Sequence, residues 1–143
     1  MPSIQGVVVY LLKYIADDRG AVMHFIKSDS PAFTTFGEVY FSLIDVGVRK
    51  GLKVHTEATG NLAVPVGQVR FTLIDKRKDS PTFGEIQEEV LSAPNEYKLL
   101  SIPPGVAYAW ENLSDSPSVV ANYSTIVWRA DESVTLPLEE LGV

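Results

Sequence analysis

Turn-forming residues recur along the whole chain at short intervals, and they limit the length of any regular element. Clusters rich in Gly, Pro, Asp, Asn and Ser lie at residues 17–20, 30–31, 50–51, 59–61, 79–81, 93–95, 103–105 and 114–117. The runs between them are rich in Val, Ile, Phe, Tyr and Thr, for example at 37–46, 61–66, 68–75, 97–102 and 118–128. Many short strands separated by regular turns are typical of a β-sandwich or a closed β-barrel.

Alternation within these runs favours strands over helices. Val69, Phe71 and Leu73 fall on one side of a strand, and Arg70 lies on the other. Helical signals are weak: residues 85–91 fit a helical turn or an edge strand about equally well, and 137–141 predict one short helical turn. We therefore expect one mostly-β domain over residues 1–143.

Composition and charge exclude several classes of function. The chain has 143 residues and a formal net charge of −6, and this acidic balance argues against binding to nucleic acid or to an anionic membrane. It has no cysteine, which excludes disulfides, thiol catalysis and cysteine-bound zinc. The apolar run at 7–12 is too short to span a bilayer and lacks the pattern of a secretory signal. We therefore predict a cytoplasmic protein.

Two segments resemble the signature motifs of the cupin barrels. In the first, at 47–67, cupins usually carry His-x-His, where this chain has Lys53 and His55. The second, at 103–112, fits the pattern Pro-x-Gly-x-x-His-x-x-x-Asn with Tyr108 in the histidine position. The resemblance implies an all-β, cupin-type jelly roll or β-barrel of two antiparallel sheets.

A closer resemblance, covering residues 17–128, is to the dTDP-4-dehydrorhamnose 3,5-epimerases. It is carried by Asp-x-Arg-Gly at 17–20, Gly-Val-x-Arg-Gly-Leu at 47–52 with a lysine for the arginine, Asp-x-Arg … Ser-Pro-Thr-Phe-Gly at 75–84, and Leu-Ser … Ile-Pro-x-Gly-x-Ala at 91–107. The resemblance implies removal of a proton beside the C4 ketone of a nucleotide-linked sugar. In the family a histidine is the base, a lysine stabilises the enolate, and a tyrosine returns a proton from the other face.

This chain departs from the family at those catalytic positions. Lys53 stands where the family has its histidine, so the resemblance is to a divergent member that lacks the catalytic histidine. Asn61 aligns with the family's lysine, and the family's tyrosine pair falls near Val127 and Trp128.

The candidate catalytic residues are Lys53, His55 and Tyr108. Lys53 and His55 are two apart on a predicted strand and therefore share a face. A desolvated Lys53 can act as a base, whereas a charged Lys53 would bind phosphate, carboxylate or a carbonyl oxygen; the alternative is that it faces solvent. His55 is either a pocket residue or a structural histidine, and Tyr108 is a candidate proton donor.

The candidate substrate-binding residues are Arg19, Lys50, Asn61, Arg70 and Trp110. Arg19 lies in the turn where the related epimerases hold the diphosphate, and a guanidinium suits phosphate oxygens. Lys50 and Asn61 occupy motif positions of the family. Arg70 is a cavity cation if its face is the lumen, and a surface residue if it is not. Trp110, like Tyr108, either forms an aromatic wall for a bound ring or fills the core.

The cupin metal positions argue against a metal or other cofactor. They are occupied by Lys53, His55, Gly60 and Tyr108, and one imidazole does not hold a transition metal firmly. Glu57 shares the face of Lys53 and His55, so a two-ligand site is the alternative.

Two functions follow as hypotheses. The first is a metal-independent epimerase or keto-isomerase of a nucleotide-linked keto-sugar. The second is a non-catalytic cupin that binds a nucleotide sugar or another small anion; a metal-dependent oxygenase is a distant third. We also expect a homodimer formed through sheet edges, which would cover unpaired strands.

Overall fold

A computed structural model describes residues 3–141 and is almost entirely β. The strands are β1 (Val8–Leu11), β2 (Tyr14–Asp17), β3 (Gly20–Met23), β4 (Glu38–Ile44), β5 (Arg49–His55), β6 (Gly60–Val66), β7 (Gln68–Asp75), β8 (Ile86–Ser92), β9 (Lys98–Ile102), β10 (Val106–Asn112), β11 (Ser118–Ser124) and β12 (Ser133–Thr135). A 3₁₀ helix at Leu138–Leu141 ends the described chain. The described part contains no helix long and apolar enough to cross a membrane.

Two five-stranded antiparallel sheets form the body of the molecule. Sheet I has the strand order β1-β9-β6-β11-β4 and sheet II the order β12-β5-β10-β7-β8, while β2 and β3 form a separate hairpin. This arrangement confirms the predicted all-β jelly roll. The ambiguous segment at 85–91 is the edge strand β8, and the short helical turn predicted at 137–141 is the 3₁₀ helix.

The main core lies between the inner faces of the two sheets. The predicted alternation in β7 is present: Val69, Phe71 and Leu73 are fully buried in this core. A second apolar cluster on the other face of sheet II contains Leu52 and Ile74 and is covered by Leu141 of the 3₁₀ helix. Sheet II is therefore partly covered on its outer face, and its inner face is available to build a cavity.

Asp75 organises the turn that follows β7. Its fully buried carboxylate accepts hydrogen bonds from Arg77 Nε at 2.9 Å, Ser80 Oγ at 2.6 Å and Thr82 Oγ1 at 2.7 Å. Burial alone raises the pKa of Asp75, but these bonds outweigh it and hold that pKa well below its usual range. The stretch at 75–84, which carries part of the family resemblance, thus has a structural role: its hydrogen bonds stabilise this turn.

Replacing Asp75 by asparagine should lower the free energy of unfolding by about 3 kcal/mol at neutral pH, because Arg77 loses its charged partner. Since folding lowers the pKa of Asp75, its contribution is complete above about pH 5 and fades as the pH falls. Urea unfolding at pH 7 and pH 3 measures both effects, with Asp79→Asn in the same exposed turn as control. Equal losses for the two variants would contradict the assignment.

Candidate functional site

A cavity of about 220 Å³ lies between the inner faces of the two sheets. This volume is large enough for several ordered water molecules or for part of a small ligand. Sheet II contributes Lys50, Gly51, Lys53, Tyr108, Trp110 and Thr135, and sheet I contributes Tyr40, Ser42, Leu62 and Asn122.

Strand register brings these side chains together. Tyr108 of β10 pairs with Lys53 of β5, and Trp110 pairs with Lys50. Between these two pairs the register shifts at Gly51, which has φ +117°, and an added Cβ there would lie 2.7 Å from the Cα of Ala109. Glycine at this position therefore lets β5 approach β10 closely enough to align the lysines with the aromatic rings.

The two walls of the cavity differ in charge. Sheet II presents the two basic side chains Lys50 and Lys53, whereas sheet I presents the neutral polar side chains of Tyr40, Ser42 and Asn122. The Lys50 Nζ donates to the Leu43 carbonyl at 3.2 Å and lies 5.8 Å from the centre of the Trp110 ring. Among residues 3–141, no carboxylate lines the cavity. The arrangement suits an anionic ligand even though the protein is acidic overall.

A hydrogen-bonded chain lies behind Tyr108. Its hydroxyl is 3.4 Å from His55 Nε2, and His55 Nδ1 is 2.6 Å from Glu132 Oε1. The other Glu132 carboxylate oxygen accepts the backbone N–H groups of Glu57 and Ala58 at 3.1 and 2.8 Å. His55 and Glu132 are both largely buried, so the pair acts at close range with little solvent screening.

The charge of Glu132 determines which groups donate and which accept in this series of hydrogen bonds. Burial alone raises the pKa of Glu132, but its bonds to His55 and the two backbone N–H groups outweigh burial and lower that pKa, so Glu132 is a carboxylate at neutral pH. A carboxylate only accepts, so the neutral form of His55 that fits this contact carries its proton on Nδ1 and leaves Nε2 to accept from Tyr108. Burial raises the pKa of Tyr108 well above its ordinary value, so Tyr108 remains a neutral phenol.

Lys50, Lys53, Tyr108 and Trp110, taken from the sequence as candidates, all line the cavity. His55 lies directly behind Tyr108, with both ring nitrogens engaged and only 12% of its side chain exposed. His55 therefore reaches the cavity through Tyr108.

Three candidates lie outside the cavity. Arg19 lies at the tip of the β2–β3 hairpin, 86% exposed and paired with Asp17. Arg70 is on the outer face of β7 and pairs with Glu111. Asn61 is fully buried but outside the cavity, where its side-chain amide donates to the Tyr123 carbonyl. Arg70 and Asn61 each alternate with core residues on their strands and therefore lie on the face opposite the cavity. Arg19 lies outside both sheets.

Sequence reasoning missed the contribution of sheet I and of the C-terminal segment. Tyr40 and Ser42 were overlooked because β4 has inverted polarity: its polar side chains face inward, while Phe41 and Leu43 are 68% and 66% exposed. This inverted alternation of polar and apolar residues in β4 was the sequence signal that could have identified Tyr40 and Ser42. Glu132 carried no local signal, since its partner His55 is 77 residues away.

A metal site has little support in the described residues. Within residues 3–141 no group of three or more His, Cys, Asp or Glu side chains lies close enough to hold a metal ion. Glu57, considered as a partner for His55, is instead hydrogen-bonded to Arg129. Absence of a metal remains a prediction.

Comparison with known proteins defines the class. A family model described as dTDP-4-dehydrorhamnose 3,5-epimerase matches residues 2–141. The spore coat polysaccharide biosynthesis protein SpsL of Bacillus subtilis is 30% identical over 90% of this chain and 85% of its own. A probable low-salt glycan biosynthesis epimerase of Haloferax volcanii is 31% identical over 92% and 85%.

Solved structures with a similar fold come from the same family. A dTDP sugar isomerase from Desulfovibrio desulfuricans is 39% identical and superimposes with a TM-score of 0.91, covering 94% of this chain and 85% of its own. A dTDP-4-dehydrorhamnose 3,5-epimerase from Sulfolobus tokodaii is 26% identical with a TM-score of 0.84, covering 95% and 80%. The fold defines a cupin-like jelly roll with a cavity between its two sheets. The chain belongs to the dTDP-4-dehydrorhamnose 3,5-epimerase family.

Replacing Glu132 by glutamine should lower the free energy of unfolding by about 2 kcal/mol at neutral pH, because a buried charged acceptor is lost. Folding lowers the pKa of Glu132, so its contribution is present above about pH 4.3 and is lost as the pH falls. Nitrogen NMR should also show the Nδ1–H tautomer of His55 in the parent protein and a mixture in the variant. Asp131→Asn, at an exposed neighbouring carboxylate, is the control; a parent protein with the Nε2–H tautomer would contradict the assignment.

Proposed function

We propose that this protein is a metal-independent epimerase or keto-isomerase that acts on a nucleotide-linked 4-keto-sugar. The observation that carries this proposal is the juxtaposition of the Lys53 amine and the Tyr108 phenol on paired strands inside one cavity. Family membership supports the substrate class: two matched relatives are named for glycan or spore coat polysaccharide biosynthesis, and solved neighbours are named for dTDP-sugars.

The chemistry needs a base and a stabilised enolate. Lys53, as the free amine, takes the proton from the carbon beside the ketone, and the electron pair of that C–H bond moves to the carbonyl oxygen. A cation close to that oxygen lowers the energy of the enolate, and Lys50, the second lysine that lines the cavity, can supply it. Return of a proton to carbon completes the isomerisation, so no oxidant, reductant or metal is consumed.

His55 and Glu132 act behind the cavity. His55 accepts from the Tyr108 hydroxyl, and Glu132 holds the His55 ring in the tautomer that allows this. The pair therefore orients Tyr108 beside Lys53 and connects its hydroxyl to a buried proton acceptor. We assign His55 and Glu132 as positioning residues.

The alternative function is a non-catalytic receptor for a nucleotide sugar or another small anion. It is favoured by one specific observation: the cavity is positively charged, yet the family's histidine position holds Lys53. A charged Lys53 that never releases its proton would bind the ligand without removing a proton from it.

Solvent-proton exchange separates the two functions. We expect a dTDP-linked 4-keto-6-deoxy sugar incubated with the protein in D₂O to gain deuterium beside its ketone, and Lys53→Met to reduce that rate at least 100-fold. Lys78→Met, at an exposed lysine outside the cavity, should exchange at the parent rate. Ligand-dependent thermal stabilisation without exchange would establish the receptor instead, and no stabilisation by any nucleotide sugar would exclude both.

We also propose a homodimer formed through sheet I. The edge strand β4 exposes the apolar stripe of Val39, Phe41 and Leu43, and the stripe carries no charge. A second copy suits this surface because a two-fold axis can pack an uncharged apolar stripe on itself, and it would also cover the open edge of β4.

A cytoplasmic location remains a prediction from the sequence.

Sedimentation velocity tests the dimer. The parent protein should sediment at twice its chain mass of 15.7 kDa, and Phe41→Glu should raise the dimer dissociation constant at least tenfold, because a charge would be buried at the contact. Phe83→Glu replaces an equally large exposed ring elsewhere and should leave the dimer intact. A parent protein that stays monomeric at micromolar concentration would overturn this proposal.

A further inference from the structure

We infer that Tyr40 is a catalytic residue that donates a proton to the substrate from the cavity wall opposite Lys53. This inference rests on the proposed function and narrows it: the reaction inverts a carbon centre, which makes the protein an epimerase and not a same-face keto-isomerase. The residues concerned are Tyr40 and its positioning partner Asn122, both on sheet I.

The two sheets determine which side chains can reach which side of a bound ring. Lys53 and Tyr108 pair directly on neighbouring strands of sheet II, so their side chains lie roughly 5 Å apart and approach from the same side. Tyr40 lines the cavity from β4 in sheet I. Packed sheets are about 10 Å apart, so a ring held between them presents one face to Lys53 and the other to Tyr40.

The hydroxyl of Tyr40 is held in place by a chain of bonds. Asn122 Oδ1 accepts the backbone N–H of Asn61 at 3.2 Å, and this fixes the orientation of the Asn122 amide. Asn122 Nδ2 therefore faces Tyr40 and donates to its hydroxyl oxygen at 2.7 Å. In the described part of the chain no group accepts the Tyr40 O–H in turn. Its proton is thus available to a ligand in the cavity.

The protonation state agrees with this role. Burial raises the pKa of Tyr40 above its ordinary value, and the hydrogen bond from Asn122 offsets only part of that effect. Tyr40 therefore carries its proton at neutral pH and is a donor. The hydrogen bond from Asn122 stabilises the phenolate that donation leaves behind, which is the condition for an effective acid.

Tyr108 cannot take this role. It shares the side of Lys53, and its hydroxyl faces His55 Nε2. A proton removed by Lys53 and returned by Lys53 or Tyr108 would enter the same face of the carbon. These two steps yield exchange of the proton with solvent or movement of the ketone, but they do not change the configuration of the carbon that lost the proton.

The proposed step balances without a co-reactant. Lys53 removes the proton from one face, and the electron pair of the broken C–H bond is stored in the enolate. When the enolate collapses, a new C–H bond forms with the Tyr40 proton on the opposite face. The Lys53 ammonium then loses a proton to solvent, and the Tyr40 phenolate regains one.

The test compares inversion with exchange. The parent protein and Tyr40→Phe are incubated in D₂O with a dTDP-linked 4-keto-6-deoxy sugar, and proton NMR follows both deuterium uptake and the configuration beside the ketone. We expect Tyr40→Phe to keep its exchange rate within about threefold, with the label in the recovered starting sugar, while epimer formation falls at least 100-fold. Tyr14→Phe removes a hydroxyl from the β2–β3 hairpin, outside the cavity, and this variant should still invert the carbon.

A second replacement keeps the test valid if Tyr40→Phe fails to fold. Incorporation of 3-fluorotyrosine in place of Tyr40 preserves the shape of the side chain and lowers the pKa of the phenol, so the alkaline limb of epimer formation should move to lower pH. An unchanged limb would overturn the assignment.

The outcomes separate this inference from the proposed function. Normal epimer formation by Tyr40→Phe overturns the role of Tyr40 and leaves the proposed function standing. Loss of exchange together with inversion makes Tyr40 a binding residue and overturns its role as donor. If the parent protein shows no exchange, the proposed function fails first and this inference fails with it.

Discussion

The pairing of β5 with β10 is the contact on which the site depends. Gly51 lets the two backbones approach so closely that an added Cβ would collide with Ala109, and the register around it sets Lys53 beside Tyr108 and Lys50 beside Trp110. A one-residue slip would turn every one of these side chains to the other face. That face is occupied by the second apolar cluster around Leu52, so the slip would bury the charged side chains there. Core packing and site geometry are therefore fixed by the same register.

The C-terminal segment contributes to both the packing and the chemistry. Leu141 covers the outer face of sheet II, β12 extends that sheet beside β5, and Glu132 reaches back to His55. A buried carboxylate that accepts two backbone N–H groups is rigid as well as charged. Loss of this segment would expose the Leu52 cluster and would leave His55 without the partner that sets its tautomer. The geometry behind Tyr108 thus depends on residues that lie far from it in the chain.

The polarity of β4 is inverted because the cavity uses its inward side. Tyr40 faces the interior, where an ordinary jelly-roll strand would bury its apolar residues, and Phe41 and Leu43 face outward. Polar groups inside the barrel weaken the core, and each therefore has a specific partner: Asn122 holds Tyr40 and is itself held by the backbone of Asn61. The outward apolar stripe is the other consequence of this inversion, and it is the surface that we assign to a second copy of the chain.

The sequence alone predicted the class of fold, the strand-rich layout and the alternation of β7, because side-chain period and turn chemistry are local properties. It also brought Lys53 and Tyr108 forward as a pair through two short motifs. It could not decide which face of a strand points inward, so Arg70 stayed open between cavity and surface, Asn61 was a candidate for a cavity that it does not line, and Tyr40 was missed. The sequence did not indicate a role for Glu132, because its contact with His55 joins residues that are 77 apart in the chain. Local pattern gives two faces to every strand; only the packing of one sheet on the other decides which of them becomes the site.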